Sequence, residues 1–243
     1  MKDLTKGKPS TLILAFALPI FFANLLQLTY SLVDTRIVGT FLGEDALAAV
    51  GATTTLSNLI IGFLQGLSGG FAIIIAQKFG AKDYKNVKKS FAMSLTMGTG
   101  IAIFFTVFGL LFLQPILNIL NVPSDLMATA KSYIFVIIAG LVATFLYDAC
   151  AAALRSLGDT VTPLVILAIS VALNIVGDLL FVVVLKSGVR GAAIATVLAQ
   201  AIAFVVCWIY MVKRYELLRL SREDFKDPNP VMVKNMLGAG MSM

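Results

Sequence analysis

Six long apolar runs, at roughly 11–35, 46–76, 90–113, 131–154, 163–185 and 191–212, occupy most of this chain of 243 residues. An α-helix rises about 1.5 Å per residue, so about 20 residues cross the hydrocarbon of a bilayer, and every run reaches that length. The chain is 59% apolar and only 13% charged, whereas about 25% of residues are charged in soluble domains. The expectation is an all-α polytopic membrane protein of six transmembrane helices.

Lys and Arg lie between the runs. With an even number of spans and a cytoplasmic N-terminus, the inner segments hold fifteen of the nineteen: Lys2, Lys6, Lys8, the cluster Lys78, Lys82, Lys85, Lys88 and Lys89, Arg155, and six after Tyr210. Arg36, Lys131, Lys186 and Arg190 fall outside. This asymmetry is the positive-inside pattern, and it predicts a multi-pass protein of the cell (plasma) membrane. It also accounts for the net charge of +6, leaving no nucleic-acid partner to invoke. The apolar segment after Lys8 has no small-residue cleavage site and runs on through Asn24 and Gln27, unlike a signal peptide. Cys150 and Cys207 fall near inner span ends, where free thiols are expected. With no histidine and no Cys or carboxylate cluster at ligand spacing, nothing points to zinc or to a cofactor.

The loops are short, so neighbouring helices should pair antiparallel in one bundle. Residues 1–212 are expected to form a six-helix transmembrane lobe. Residues 213–230 read as a cytoplasmic linker containing an amphipathic surface helix, and 231–243 as the start of a seventh span in a chain cut short. Gly62, Gly66 and Gly70 recur every four residues and should admit a close helix neighbour. Pro163 opens the fifth span, where a missing N–H costs little. Pro19 lies inside the first, where it frees a carbonyl and permits a hinge.

Ionised side chains inside a span are costly and mark ion or substrate paths. In the first span Asn24, Gln27, Ser31 and Asp34 recur at helical spacing, forming a polar stripe that faces a cavity or a partner helix. Asp178 lies seven residues before Leu185, about 10 Å below the outer end of the fifth span, with Asn174 one turn deeper. Thr196 in the sixth span reaches a similar depth, with Gln200 a turn further in. Asp34, Asn174, Asp178 and Thr196 can therefore converge in one outer-half layer suited to H⁺ or a hard cation such as Na⁺. Tyr133, Thr144 and Tyr147 either line a cavity or serve packing. Asp148 lies deeper and can pair with Arg155, and Asp159 is placed to order the start of the fifth helix.

Five segments carry a family resemblance: SLVDTRIVGTFLGEDALAAVGA, AQKFGAKDYKNVKKS, LRSLGDTVTP, ALNIVGDLLF and GVRGAAIATVLAQ. Together, in this order, they resemble the multidrug and toxic compound extrusion (MATE) transporters, in the DinF-like prokaryotic branch. The resemblance implies a non-enzymatic secondary transporter of twelve helices in two lobes around a central cavity, of which this chain is the N-terminal lobe, without its C-terminal six-helix lobe. It implies a first-lobe cation site at Asp34, Asn174, Asp178 and Thr196, which would ligate metal only if Na⁺ is the coupling ion. It also implies a hinge at Pro19 and amphipathic organic cations as small-molecule substrates. Rival readings are a lipid or lipid-linked saccharide flippase, an intramembrane aspartyl protease using Asp148 and Asp178, and a six-helix protein complete in itself. Ile175 stands where the protease motif needs glycine.

Overall fold

The computed structural model describes residues 9–225 and 230–242, and these are helical almost throughout. The chain runs through α1 (Pro9–Leu42), α2 (Glu44–Gly80), α3 (Tyr84–Leu111), α4 (Leu113–Ile119), α5 (Met127–Ala139), α6 (Leu141–Ser156), α7 (Val161–Asp178), α8 (Gly188–Arg214) and α9 (Pro230–Met241). Five helices are long and apolar enough to cross a membrane, and the α5–α6 pair makes a sixth, bent span. One end of the bundle carries the turn 81–83 and the Lys78–Lys89 cluster. It is called the lysine-rich end below, and α1, α3 and α7 start there.

Large apolar side chains of α2, α3 and α6 form the centre, with Phe71, Phe91 and Phe145 fully buried. By contrast α1 lies at the edge, against α7 and α2. Ile13, Leu28 and Leu32 are each at least 66% exposed, so most of its surface is left for lipid or another protein lobe. The helix continues unbroken through Pro19.

Three sequence expectations need correction. The fourth span is two helices meeting at 44°. The corner is Gly140, where a Cβ would collide with Val197 Cγ2 of α8; the chain turns where only glycine lets α8 come so close. Next, only part of the glycine repeat in α2 is a contact. A Cβ on Gly70 would collide with the Gly240 backbone of α9, whereas one on Gly62 would meet nothing within 4 Å. Finally, the linker is not an amphipathic helix within its described part. It makes two short 3₁₀ turns, Glu216–Leu218 and Arg222–Phe225. Buried Leu218 packs toward α3, and Asp224 ties back to the Ser221 N–H and hydroxyl at 2.7 and 2.9 Å. These local bonds compete with helix continuation. Residues 226–229 lie outside the described residues.

The α-helical geometry of the fifth span ends at Asp178. Leu179–Val184 widen into a π-helical segment, with the Leu185 N–H donating five residues back to the Leu180 carbonyl at 2.8 Å. Such widenings are rare and frequently sit at functional positions.

Candidate cation site

Asp34, Asn174 and Asp178 are buried, with 9%, 2% and 0% exposure. Two of these are carboxylates inside apolar spans, so their placement calls for chemistry beyond packing. The seam between α1 and α7 sets the carboxyls of Asp34 and Asp178 face to face within hydrogen-bonding reach. Gly177 lets α8 approach this point, since a Cβ there would stand 2.9 Å from the Ala195 methyl. Each carboxyl keeps its Oδ1 buried without a hydrogen-bond partner. Unmet acceptors of this kind are uncommon in folded interiors, and a proton or a cation between them would satisfy both.

With Asp178 ionised, the Asn174 amide satisfies its neighbours when its Nδ2 is turned toward Asp178, 3.0 Å from Oδ2. Its Oδ1 accepts from the Thr196 backbone N–H at 3.1 Å and faces the Thr196 hydroxyl at 3.3 Å. The amide therefore serves the carboxylate as a donor here. In the opposite orientation its Oδ1 faces the pair and its Nδ2 donates to the Thr196 hydroxyl at 3.3 Å, the arrangement a bound metal ion would favour. The Thr196 hydroxyl also donates to the Ala192 carbonyl at 3.1 Å and lies 2.9 Å from the Tyr30 hydroxyl. No group of three His, Cys, Asp or Glu that could hold a metal occurs among the described residues. Any Na⁺ here would rest on two carboxylates and neutral oxygens.

Sequence reasoning missed Tyr30. One turn before Asp34, it shares that residue's face and lies near both carboxyls. Only the four-residue spacing to Asp34 could have signalled it. Tyr133 of α5 stands close to Asp34, Asp178 and Tyr30, so it borders the site. Asn24, Gln27 and Ser31 do not join it; all three are exposed. At about 100° per residue, Gln27, Ser31 and Asn24 lie about 20°, 60° and 80° round the helix from Asp34, so what separates them from it is the exposure of α1 nearer the lysine-rich end.

The pair is closed on the side away from the lysine-rich end. Ile37, Val38, Val182, Val189 and Ala192, with Ala46 and Val50, form a separate buried apolar cluster. Each of the first five lies nearer that far end than the polar residue on its own helix, so the cluster is a collar over the pair. On the opposite side, Ser170 donates to the Ala199 carbonyl at 3.2 Å, and the half-buried Gln200 has its Oε1 enclosed without a partner. Asp148 also keeps a buried Oδ2 without a partner. It makes no ion pair within 4.0 Å with Arg155 among the described residues, so the expected pairing is absent. Seven residues separate the two on α6, about 10 Å along the helix. Tyr147 is buried with its hydroxyl on the Pro163 carbonyl at 3.4 Å, a packing role. Thr144 bonds its own helix, at the Gly140 carbonyl, at 3.5 Å. Asp159 caps α7, accepting from the Thr162 N–H at 3.0 Å, and Cys150 and Cys207 are free, buried thiols.

A bundle of apolar spans enclosing a buried carboxylate pair defines a multi-pass membrane protein. The profile of the MatE family matches residues 19–180, a stretch that includes Asp34, Asn174 and Asp178. The chain is 30% identical to the probable multidrug resistance protein YpnP of Bacillus subtilis strain 168, over 99% of this chain and 54% of that protein. Its fold matches a MOP superfamily transporter from Pyrococcus furiosus with a TM-score of 0.91 and 27% identity, covering 98% of this chain and 53% of that one. An outward-facing structure of a multidrug resistance MATE family transporter gives a TM-score of 0.90 at 26% identity, covering 99% and 54%. The chain belongs to the MATE family. It spans about half the length of the curated relatives it matches, as expected for an N-terminal lobe.

Proposed function

We propose that the protein to which this lobe belongs is a cation-coupled antiporter that exports amphipathic organic cations, with Asp34 and Asp178 as the coupling pair. The observation that carries this reading is the facing of two buried carboxyls, each with an unmet oxygen, at a helix seam. A pair this close titrates as a unit rather than as two separate acids. Neutralising it removes the electrostatic cost of holding the seam closed, so occupancy can shift the packing of α1. Pro19 supplies the place for α1 to flex, because its residue lacks the N–H that would hold the turn. Each charge moving inward with the membrane potential contributes about 2.3 kcal/mol per 100 mV, enough to bias a two-state equilibrium some tens-fold. Names of relatives such as the probable multidrug resistance protein YpnP support drug-like substrates.

The decisive test is Asp178→Asn in the full-length protein, a change that keeps shape and removes the titrating charge. Cation-gradient-driven efflux of a cationic dye from energised vesicles is expected to disappear with membrane insertion intact. Undiminished efflux would remove Asp178 from the coupling role.

A further inference from the structure

At the lysine-rich end a cavity of ≈ 1040 Å³ opens between the first turns of α1, the start of α7 and the chain leaving α8. Its walls are chemically unlike. Leu12, Ala15 and Phe16 of α1 supply an apolar side, while Lys213, Arg214 and Arg219 supply a cationic one. None of these three cations has a carboxylate within 4.0 Å among the described residues. The two acids of the lining, Asp159 and Glu216, offset part of this charge and leave one positive charge in excess, with neither acid ion-paired to the three cations. Asp159 is already engaged by the Thr162 N–H and, at 2.7 Å, by the Tyr215 hydroxyl, and Glu216 is exposed. Burial, and then the adjoining Asp159, raise the pKa of Tyr215, so its hydroxyl stays a neutral donor. Arg219 is anchored, its Nε donating to the Val212 carbonyl at 2.7 Å. The remaining guanidinium nitrogens are left to contact a ligand.

Beyond the mouth the surface changes character. Ile13 of α1 and Val161 and Val165 of α7 are 51–66% exposed, an apolar track beside the cavity where the spans begin. A ligand fitting both parts has a phosphate at one end and hydrocarbon at the other. Arg groups favour phosphate through paired N–H donors, and basic pockets between spans on the cytoplasmic side suit anionic lipid headgroups.

We infer that this cavity binds the phosphate headgroup of an anionic phospholipid, with its acyl chains on the α1–α7 track. The lipid then bridges the start of α1 to the segment after α8, holding the peripheral helix in place. This inference does not depend on the transport reading.

The test uses the full-length protein in detergent, titrated with phosphatidylglycerol, phosphatidylcholine or inorganic phosphate while thermal unfolding and lipid retention by native mass spectrometry are followed. Phosphatidylglycerol is expected to raise the Tm and remain bound, with phosphatidylcholine and inorganic phosphate giving neither effect. In the variant Lys213→Gln/Arg214→Gln/Arg219→Gln its apparent affinity should fall at least tenfold. Lys85→Gln/Lys88→Gln/Lys89→Gln removes as many charges outside the cavity and should keep the affinity. If the cavity triple variant does not fold, Arg219→Gln alone should show a several-fold loss. Equal loss in the two triple variants, no loss in Arg219→Gln, or no distinction between the two phospholipids would overturn the assignment. A matching shift with inorganic phosphate would overturn the lipid and leave a free phosphate site.

Discussion

At the scale of residues, the site separates groups that carry charge from groups that arrange it. Asn174 gives Asp178 a hydrogen bond and takes its own from Thr196. A hydrogen bond to a charged group contributes about 1.5–3 kcal/mol. Asn174→Ala in the full-length protein is therefore expected to weaken proton-driven efflux by about tenfold to a hundredfold, where Asp34→Asn abolishes it. Measuring dye efflux under separate H⁺ and Na⁺ gradients checks this. Collapse confined to the Na⁺ gradient would show that the amide turns to ligate the metal. Tyr30→Phe removes only one partner of Thr196, which retains its bond to Ala192. It should cost about 1 kcal/mol of stability and leave gradient-driven efflux within a few-fold. The acids and amide of this site were legible in the sequence because polar groups are conspicuous against apolar runs. Tyr30 was not, since an aromatic residue among Leu and Phe looks like packing until its hydroxyl is seen to meet Thr196.

At the scale of elements, the six spans followed from run length, but their irregularities did not. The bend at Gly140 depends on Val197, 57 positions away in sequence, and no local pattern encodes that encounter. Gly140→Val would drive a side chain into Val197, and overpacking of this kind costs about 1–3 kcal/mol. Gly62→Ala, facing open space, should be neutral or slightly stabilising through helix propensity. Thermal unfolding of the two variants in one detergent makes the comparison, and an equal response would show that the bend does not depend on this contact. The linker was misread for a related reason: its helix-like composition yielded to the Ser221–Asp224 turn and the burial of Leu218. For α1, Pro19→Ala restores the missing donor and should slow turnover while dye binding survives. Normal turnover would exclude flexing at Pro19 from the transport cycle.

At the scale of the whole molecule, the lobe leaves one helix conspicuously uncovered. Asn24, Gln27 and Ser31 are exposed on α1, and hydrocarbon offers their polar groups no partner. A second six-helix lobe against that surface would provide one. Expressed alone, the 243-residue chain is expected to insert and to self-associate through this stripe, yet to move no dye above empty vesicles. Co-expression of a second lobe from the full-length protein should restore gradient-driven efflux. Asp34-dependent efflux by the lobe alone would instead make it a transporter in its own right. The stripe was visible as a pattern, but that only its Asp34 end is buried against α7 while Asn24, Gln27 and Ser31 stay exposed emerged only from the packing of α1.

If the carboxylate pair takes up the coupling ion, the apolar collar gives it an electrical role. A dry layer between the pair and water behaves as a dielectric slab, and the membrane voltage falls across it in proportion to its share of the insulating thickness. With about 10 Å of helix above Asp178 and about 30 Å of hydrocarbon in all, that share is near one third. A cation crossing the collar to reach the pair would then gain about 0.8 kcal/mol per 100 mV, a third of the full transmembrane value. Occupancy should accordingly change about fourfold for each 100 mV. Val182→Asn, by wetting the slab, should flatten that dependence without removing either carboxylate. Site occupancy followed at clamped potassium-diffusion potentials in proteoliposomes would reveal the slope, and a voltage-independent site would mean that water already reaches Asp34 and Asp178.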